Sequence, residues 1–269
     1  MMQCTRNPAS PGRTPPGIAS GLLAAALCIG AGCGPALAGD PDAPPPSPPA
    51  HETHRIEGWT LRIDTRLLTD APEATATAVA LLRSQLQEIV RQVPPQAVER
   101  LREVPLWFSP HYPGIGPKAE YHPDPGWLRA NQRNPEMARA VEFTNIAIFD
   151  AETRRMPNFA LHELAHAYHD RFLPGGFDNA EIRAAHEAAL ARGTYDQVPR
   201  RDAGGGVRLD RAYALTNPME YFAETTEAYF SRNDFFPFDR AELEEADPGM
   251  AALLGRLWGV PDPPDPAAR

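Results

Sequence analysis

Cysteine is almost absent from this chain of 269 residues: there are three, Cys4, Cys28 and Cys33, all near the N-terminus. The remaining chain has none with which to build a disulfide framework, so its core must suffice for stability. A basic block is also missing. The 26 Lys+Arg stand against 35 Asp+Glu, for a net charge of −9, which excludes the clustered cations that nucleic-acid binding needs. The longest apolar run falls short of the about 20 residues that span a bilayer. The glycine run at 201–207 (R-D-A-G-G-G-V) lacks the Lys-Ser/Thr ending of a phosphate loop, which excludes nucleotide binding there. Proline is abundant, at 31 residues, and excludes a long coiled coil. What is present, 23% charged and 8% aromatic residues, is the composition of a globular domain.

The first 38 residues read as an export signal. Arg6 and Arg13 lie in a start without acidic residues, 18–31 is small and apolar, and P-A-L-A ends at Ala38. These are the three parts of a secretory signal peptide, with cleavage expected between Ala38 and Gly39. The product is then secreted or periplasmic, lacks all three cysteines and has no stable membrane span. An uncleaved anchor, or a lipid at Cys33 within G-A-G-C, is the alternative. Residues 39–50 are a proline-rich linker and 261–269 a similar tail, both expected to be extended. That leaves 51–260 as the folded domain.

Within it, 59–64 and 140–144 alternate apolar and polar residues and predict strands, the second perhaps continued by I-A-I-F. Val104 to Phe108 predicts another strand, which Pro105 restricts to an edge or a strand start. A helix is predicted over 72–93, with Ala78, Leu81, Leu82, Leu86, Ile89 and Val90 on its apolar stripe and Pro94-Pro95 as its stop. Residues 109–138 read as loop. Helices follow over 157–172, 179–192, 218–231 and 240–258, the last broken near Pro248. Strands early and helices late predict an α+β fold: a small N-terminal sheet and helix, then a mainly helical part.

One short motif points to chemistry. F-A-L-H-E-L-A-H-A-Y-H-D-R-F, residues 159–172, contains H-E-x-x-H. On a helix, His162 and His166 share one face, one turn apart, and can point at one ion. Zn²⁺ accepts imidazole nitrogen and in catalytic sites keeps one position open for water. Glu163, about 100° round the helix, reaches that position without being a ligand, the placement of a general base in metal-assisted hydrolysis. Leu161, Leu164, Ala165, Tyr168 and Phe172 form a separate core stripe, so the helix can bury one side and present its histidines on another. A third ligand is needed. The spacing that uses a third His ten residues after the first fails, because position 172 is Phe. A later helix, N-P-M-E-Y-F-A-E-T-T-E-A-Y-F at 217–230, offers Glu220, Glu224 and Glu227 on one face. Asn217-x-x-Glu220 is also close to a capping box, and a row of glutamates is commonly a solvated face, so both readings of Glu220 stand at this point. Glu224, one turn on, suits an acceptor for a ligand's other ring N–H.

Together, H-E-L-A-H (162–166) and Y-A-L-T-N-P-M-E-Y-F-A-E (213–224) resemble the zinc-peptidase domain of the anthrax lethal-factor-like metallopeptidases, zincins that pair H-E-x-x-H with a downstream Glu. The resemblance covers roughly 157–232. It implies a zincin-like domain and a Zn²⁺ cofactor held by His162, His166 and Glu220, with Glu224 supporting a ligand. It implies Glu163 as general base and Tyr213 as the phenol that steadies the oxyanion. The substrate is then a peptide or protein, and by the same analogy an extended peptide adds a strand along A-V-E-F-T (140–144). Pro218 and Met219 depart from the family pattern before the ligand, and the toxin's accessory domains are lacking. The alternatives are a non-catalytic zincin-fold binding protein at the cell surface and a zinc amidase acting on a non-protein amide. Of the other histidines, His169 reads as a partly exposed surface residue, His186 as surface or packing, and His51 and His54 as solvated, while His111 and His122 lie in a loop that either overhangs the cleft as a lid or only decorates it. Tyr221, Phe222, Tyr229 and Phe230 read as core.

Overall fold

The computed structural model describes residues 50–261. The predicted signal peptide, its cleavage site, Cys33 and nearly all of both proline-rich segments lie outside the described residues. Among the described residues, no helix is long and apolar enough to cross a membrane.

The domain opens with a hairpin the sequence reading missed, β1 (His51–Ile56) and β2 (Trp59–Asp64). Its two-residue loop, Glu57-Gly58, has φ of 47° and 97°, the double positive-φ turn that matches strand twist. Gly58 is required twice over, since a Cβ there would lie 2.4 Å from Arg102 Nε. After α1 (Thr65–Asp70) comes α2 (Pro72–Gln92), which buries Ala78, Leu82, Leu86 and Ile89. The predicted stripe was too wide, for Val90 is 38% exposed. Then follow α3 (Pro95–Leu101), β3 (Leu106–Phe108), β4 (Ala119–His122), α4 (Pro125–Ala130) and β5 (Ala140–Phe143).

The sheet order is β1-β2-β3-β5-β4. Strands β2, β3 and β5 run parallel, and the edge strands β1 and β4 are antiparallel to their neighbours. Strand β3 is therefore central. Pro105 is tolerated because it stands just before the strand, where its carbonyl accepts Val141 N–H at 3.0 Å and its missing N–H costs nothing. Two expectations are corrected here. Residues 109–138 are not all loop: they hold β4, and α4 capped by the Asp124 carboxylate with Pro125 in its first turn. The chain after β5 does not continue as a strand. It turns at Asn145 into a 3-10 turn at Ile146–Ile148 and then α5 (Phe149–Arg155), placing Ile146 and Phe149 in the core.

One face of the sheet carries α6 (Phe159–Phe172), which packs on β4 and β5 and against α2, α3 and α8. The other face carries a smaller cluster of Trp107, Leu128, Met137 and Ala140. Downstream are α7 (Ala180–Arg192), the hairpin β6 (Val198–Arg201) and β7 (Val207–Asp210), and α8 (Pro218–Phe230). The chain's described part ends in α9 (Arg240–Ala246) and α10 (Pro248–Trp258), separated where Asp247 caps α10 and Pro248 opens it. Residues 202–206, with Gly204, Gly205 and Gly206, form the β6–β7 turn. Every residue of α8 from Glu220 to Phe230 is buried, so its aromatic residues are core, as read. Trp258 closes this layer, stacked on Tyr168 at 4.0 Å and parallel to Phe222 at 5.9 Å. The fold is mixed α+β, with sheet early and helices late.

Candidate metal centre

Two caps place the two ligand-bearing helices. Asn158 accepts Leu161 N–H at 3.1 Å and starts α6 one turn before His162, so Pro157 precedes the cap instead of lying within the helix. Asn217 accepts Glu220 N–H at 2.9 Å, and Pro218 occupies the first position of α8. Only half of the capping box forms. The Glu220 main chain is capped, while its side chain turns to the imidazoles of α6. The two readings of Glu220 are thus compatible.

The donor atoms form a near-equilateral triangle. His162 Nε2 lies 3.1 Å from His166 Nε2 and 3.1 Å from Glu220 Oε2, and His166 Nε2 lies 3.3 Å from Glu220 Oε2. Ligand atoms bound tetrahedrally at 2.0–2.1 Å stand about 3.3–3.4 Å apart. All three residues are buried and could together hold a metal ion. The donor chemistry fits as well. His162 Nδ1 is 2.6 Å from Glu227 Oε1; with the ring proton on that nitrogen, Nε2 is free to offer its lone pair to a cation beside Glu220 and His166. The surrounding field also favours positive charge. Burial opposes the ionisation of Glu220, but the two imidazoles beside it hold its carboxyl well below the usual range. Burial likewise opposes a charge on His162, and the carboxylates of Glu220 and Glu227 overcome it and hold the imidazole's pKa well above its ordinary value.

Sequence reasoning selected the wrong supporting carboxylate. Glu224 Oε1 is 3.8 Å from His162 Nδ1 and instead accepts Asn233 Nδ2 at 3.0 Å; Glu227 makes the short contact. Both lie on the stripe that faces α6, and α8's tilt, which spacing does not report, decides between them. Burial, with Glu227 and Asp234 nearby, pushes the Glu224 carboxyl up well above its ordinary value. Burial also raises that of Glu227, to about 7, against the pull of His162.

Glu163 is half-buried and outside the triangle, with Oε2 accepting the main-chain N–H of Tyr121 in β4 at 2.8 Å. No spacing rule foresaw that partner. Tyr213 lies in a 3-10 turn, Tyr213–Thr216, just before α8, and its hydroxyl donates to Glu220 Oε1 at 3.3 Å. The structure therefore brings together His162, Glu163, His166, Tyr213 and Glu220. Strand β5 is correctly placed as a strand but is flanked by β3 and β4; the open edge beside α6 belongs to β4, because the segment read as loop supplies an extra strand.

Among the remaining histidines, His122, His169 and His51 differ from expectation. His122 is buried and its Nε2 lies 2.9 Å from Glu142 Oε2. With Glu120 these residues make a second set within reach of one ion, but Arg133 already bridges both carboxylates and supplies the positive charge. His186 packs edge-on to Tyr221. His51 lies edge-on to Trp107; His54 and His111 are exposed. His169, read as a surface residue, is 0% exposed, edge-on to Phe177 at 5.2 Å and tilted against Phe222 at 5.1 Å. It continues the stripe of His162 and His166, which faces α8 and not solvent. Burial, aided by the charge of His166, pushes its pKa down to about 3, so the ring is neutral in the fold and takes up a proton readily only on unfolding. Stability is then complete above about pH 6.5 and declines as pH falls through the window from there to about 3. The contribution to the slope is roughly 1.4 kcal/mol per pH unit. Denaturant melts across that window should show a shallower acid decline for His169→Leu than for the wild type. Parallel curves would remove His169 as a source of the decline.

Compared with known proteins, this chain matches no family model, no curated protein and no solved structure.

Proposed function

We propose that this protein is an exported zinc-dependent peptidase of zincin type, with the lethal-factor-like catalytic pattern that its two motifs resemble. The observation that carries the reading is the triangle of His162, His166 and Glu220 with a non-ligand carboxylate, Glu163, on the same helix at its side. Neither a binding module nor a structural histidine pair needs a general base there.

In this reading Zn²⁺ held by His162, His166 and Glu220 would supply Lewis acidity, acidifying water and polarising the scissile carbonyl. Glu163 takes the proton of the attacking water and passes it to the departing amine. The Tyr121 N–H fixes one oxygen of Glu163 and leaves the other to move the proton. The Tyr213 hydroxyl, at the border of the ligand set, donates to the oxyanion as charge develops there. A peptide substrate lies along β4. In its pairing with β5 the peptide groups of Glu120 face inward, so those of Ala119 and Tyr121 face the open edge. The Tyr121 N–H is taken by Glu163, which leaves the Ala119 N–H and C=O and the Tyr121 C=O to an extended chain.

Two measurements on purified protein test this: zinc content, and digestion of casein and a peptide library with and without a chelator. The reading requires about one zinc per chain and chelator-sensitive cleavage. A chain that holds zinc and cleaves no peptide would favour the binding-protein or amidase alternative; one that never holds zinc would end both hydrolase readings. Tyr213→Phe should keep its zinc and KM and lose roughly tenfold in kcat, less than the loss of a sole oxyanion donor. An unchanged kcat would reduce Tyr213 to a partner of Glu220.

A further inference from the structure

The placement of Glu163 depends on a short strand. Strand β4 has four residues and pairs on one side only, with β5. One of its outward peptide groups, Tyr121 N–H, is the group that holds Glu163 Oε2. A shift of β4 therefore moves the carboxylate's anchor.

The far face of the sheet shows what secures that strand. Glu120 of β4 and Glu142 of β5 stand directly opposite each other, a like-charge pair that would drive the strands apart. Arg133 lies between them, with Nη1 2.5 Å from Glu120 Oε2 and 3.3 Å from Glu142 Oε2. Lys118 Nζ takes the other Glu120 oxygen at 2.7 Å, and Tyr112 donates its hydroxyl to the other Glu142 oxygen at 2.7 Å. The Arg133 guanidinium also lies over the rings of Tyr112 and Trp127, at 4.7 and 5.1 Å. The Arg133 and Glu142 side chains are 2% and 1% exposed. Burying such ions stabilises a fold no more than well-packed apolar side chains of similar volume, and the apolar cluster around Trp107 and Leu128 occupies the same face. What the ion network adds is geometry, because a planar guanidinium lying over Tyr112 and Trp127 aims the single Nη1 at both carboxylates.

We propose that Arg133 is a positioning residue for the hydrolysis: by clamping Glu120 to Glu142 it sets β4 where the Tyr121 N–H holds Glu163. The inference rests on the peptidase reading for its consequence, while its geometry is independent of that reading.

Amide hydrogen exchange by NMR on the full-length protein tests it, with zinc content, kcat and KM measured in parallel. In the wild type, the outward Tyr121 amide should exchange at least about tenfold more slowly than the outward Ala119 amide, and Glu163→Ala should abolish the difference. Arg133→Lys keeps the charge but is shorter and loses the planar group that lies over Tyr112 and Trp127 and aims one nitrogen at both carboxylates. It should retain zinc and the protection of the central strand β5, while losing about tenfold in Tyr121 protection and in kcat. If that variant does not fold, Glu120→Gln, which loosens one arm at a partly exposed position, should produce a smaller change in the same two quantities. Wild-type Tyr121 exchange as fast as that of Ala119 would overturn the anchor. Unchanged Tyr121 protection and kcat in the folded variants would make Arg133 a merely structural residue. If the wild type cleaves nothing, the peptidase reading fails on that arm, and the amide rates still decide whether the clamp holds Glu163's anchor.

Discussion

Glu163→Gln should leave zinc binding at the wild-type level and reduce peptide cleavage by about 10²–10⁴-fold, the range that a lost general acid–base group costs. The substitution isolates proton transfer. Gln has the volume of Glu and can still accept the Tyr121 N–H with its amide oxygen, so the side chain stays in place. Glu163 is not among the atoms of the His162, His166 and Glu220 triangle, so the donor set is intact. What disappears is a basic oxygen that can take and return a proton. The check is zinc per chain by elemental analysis, beside kcat on the best peptide from the library. Wild-type cleavage by a zinc-loaded Glu163→Gln protein would remove Glu163 as the base. Loss of zinc along with activity would instead place Glu163 in the metal's support.

Glu227→Gln should weaken zinc affinity by about 10–100-fold, the usual cost of removing the carboxylate behind a ligating histidine, whereas Glu224→Gln should change it little. Glu227 Oε1 is 2.6 Å from His162 Nδ1. It fixes the ring's orientation and tautomer, and its charge makes Nε2 a better donor. Gln keeps the acceptor and the volume but loses the charge, which matters most where water is excluded, and Glu227 is 0% exposed. Glu224 already has Asn233 as its donor. Competition against a chelator of known affinity separates the two. If Glu224→Gln is the more damaging change, Glu224 and not Glu227 supports His162.

The comparison of these two glutamates shows how far sequence carries. Spacing put Glu220, Glu224 and Glu227 on one stripe, and that stripe does meet α6. Helical periodicity resolves faces to about 100° per residue. It does not resolve the tilt of one helix on another, which decides which carboxylate comes within 3 Å of an imidazole. His169 repeats the lesson. Its stripe was identified, but the same spacing serves an exposed face or one covered by another helix, and Phe177 from the turn after α6 and Phe222 from the distant α8 cover it.

The sheet divides in the same way. Alternation located β2 and β5, and a proline fitted the start of β3. The four-residue β4 was hidden among prolines, since a strand that short has too few alternations to stand out and owes its existence to pairing with β5. With it went the correct open edge, the anchor of Glu163 and the Arg133 clamp.

By itself, then, the amino-acid order determined what local physics can encode: the caps and first-turn proline that start α8, the one-turn spacing of His162 and His166, and the carboxylate next to the first of them. Only the tertiary structure decided that Glu220 closes the triangle, that Glu227 and not Glu224 backs His162, and that an edge strand's peptide N–H holds Glu163. Each of those is a distance between segments far apart in the chain, set by how helices and strands pack, and no rule of local spacing contains it.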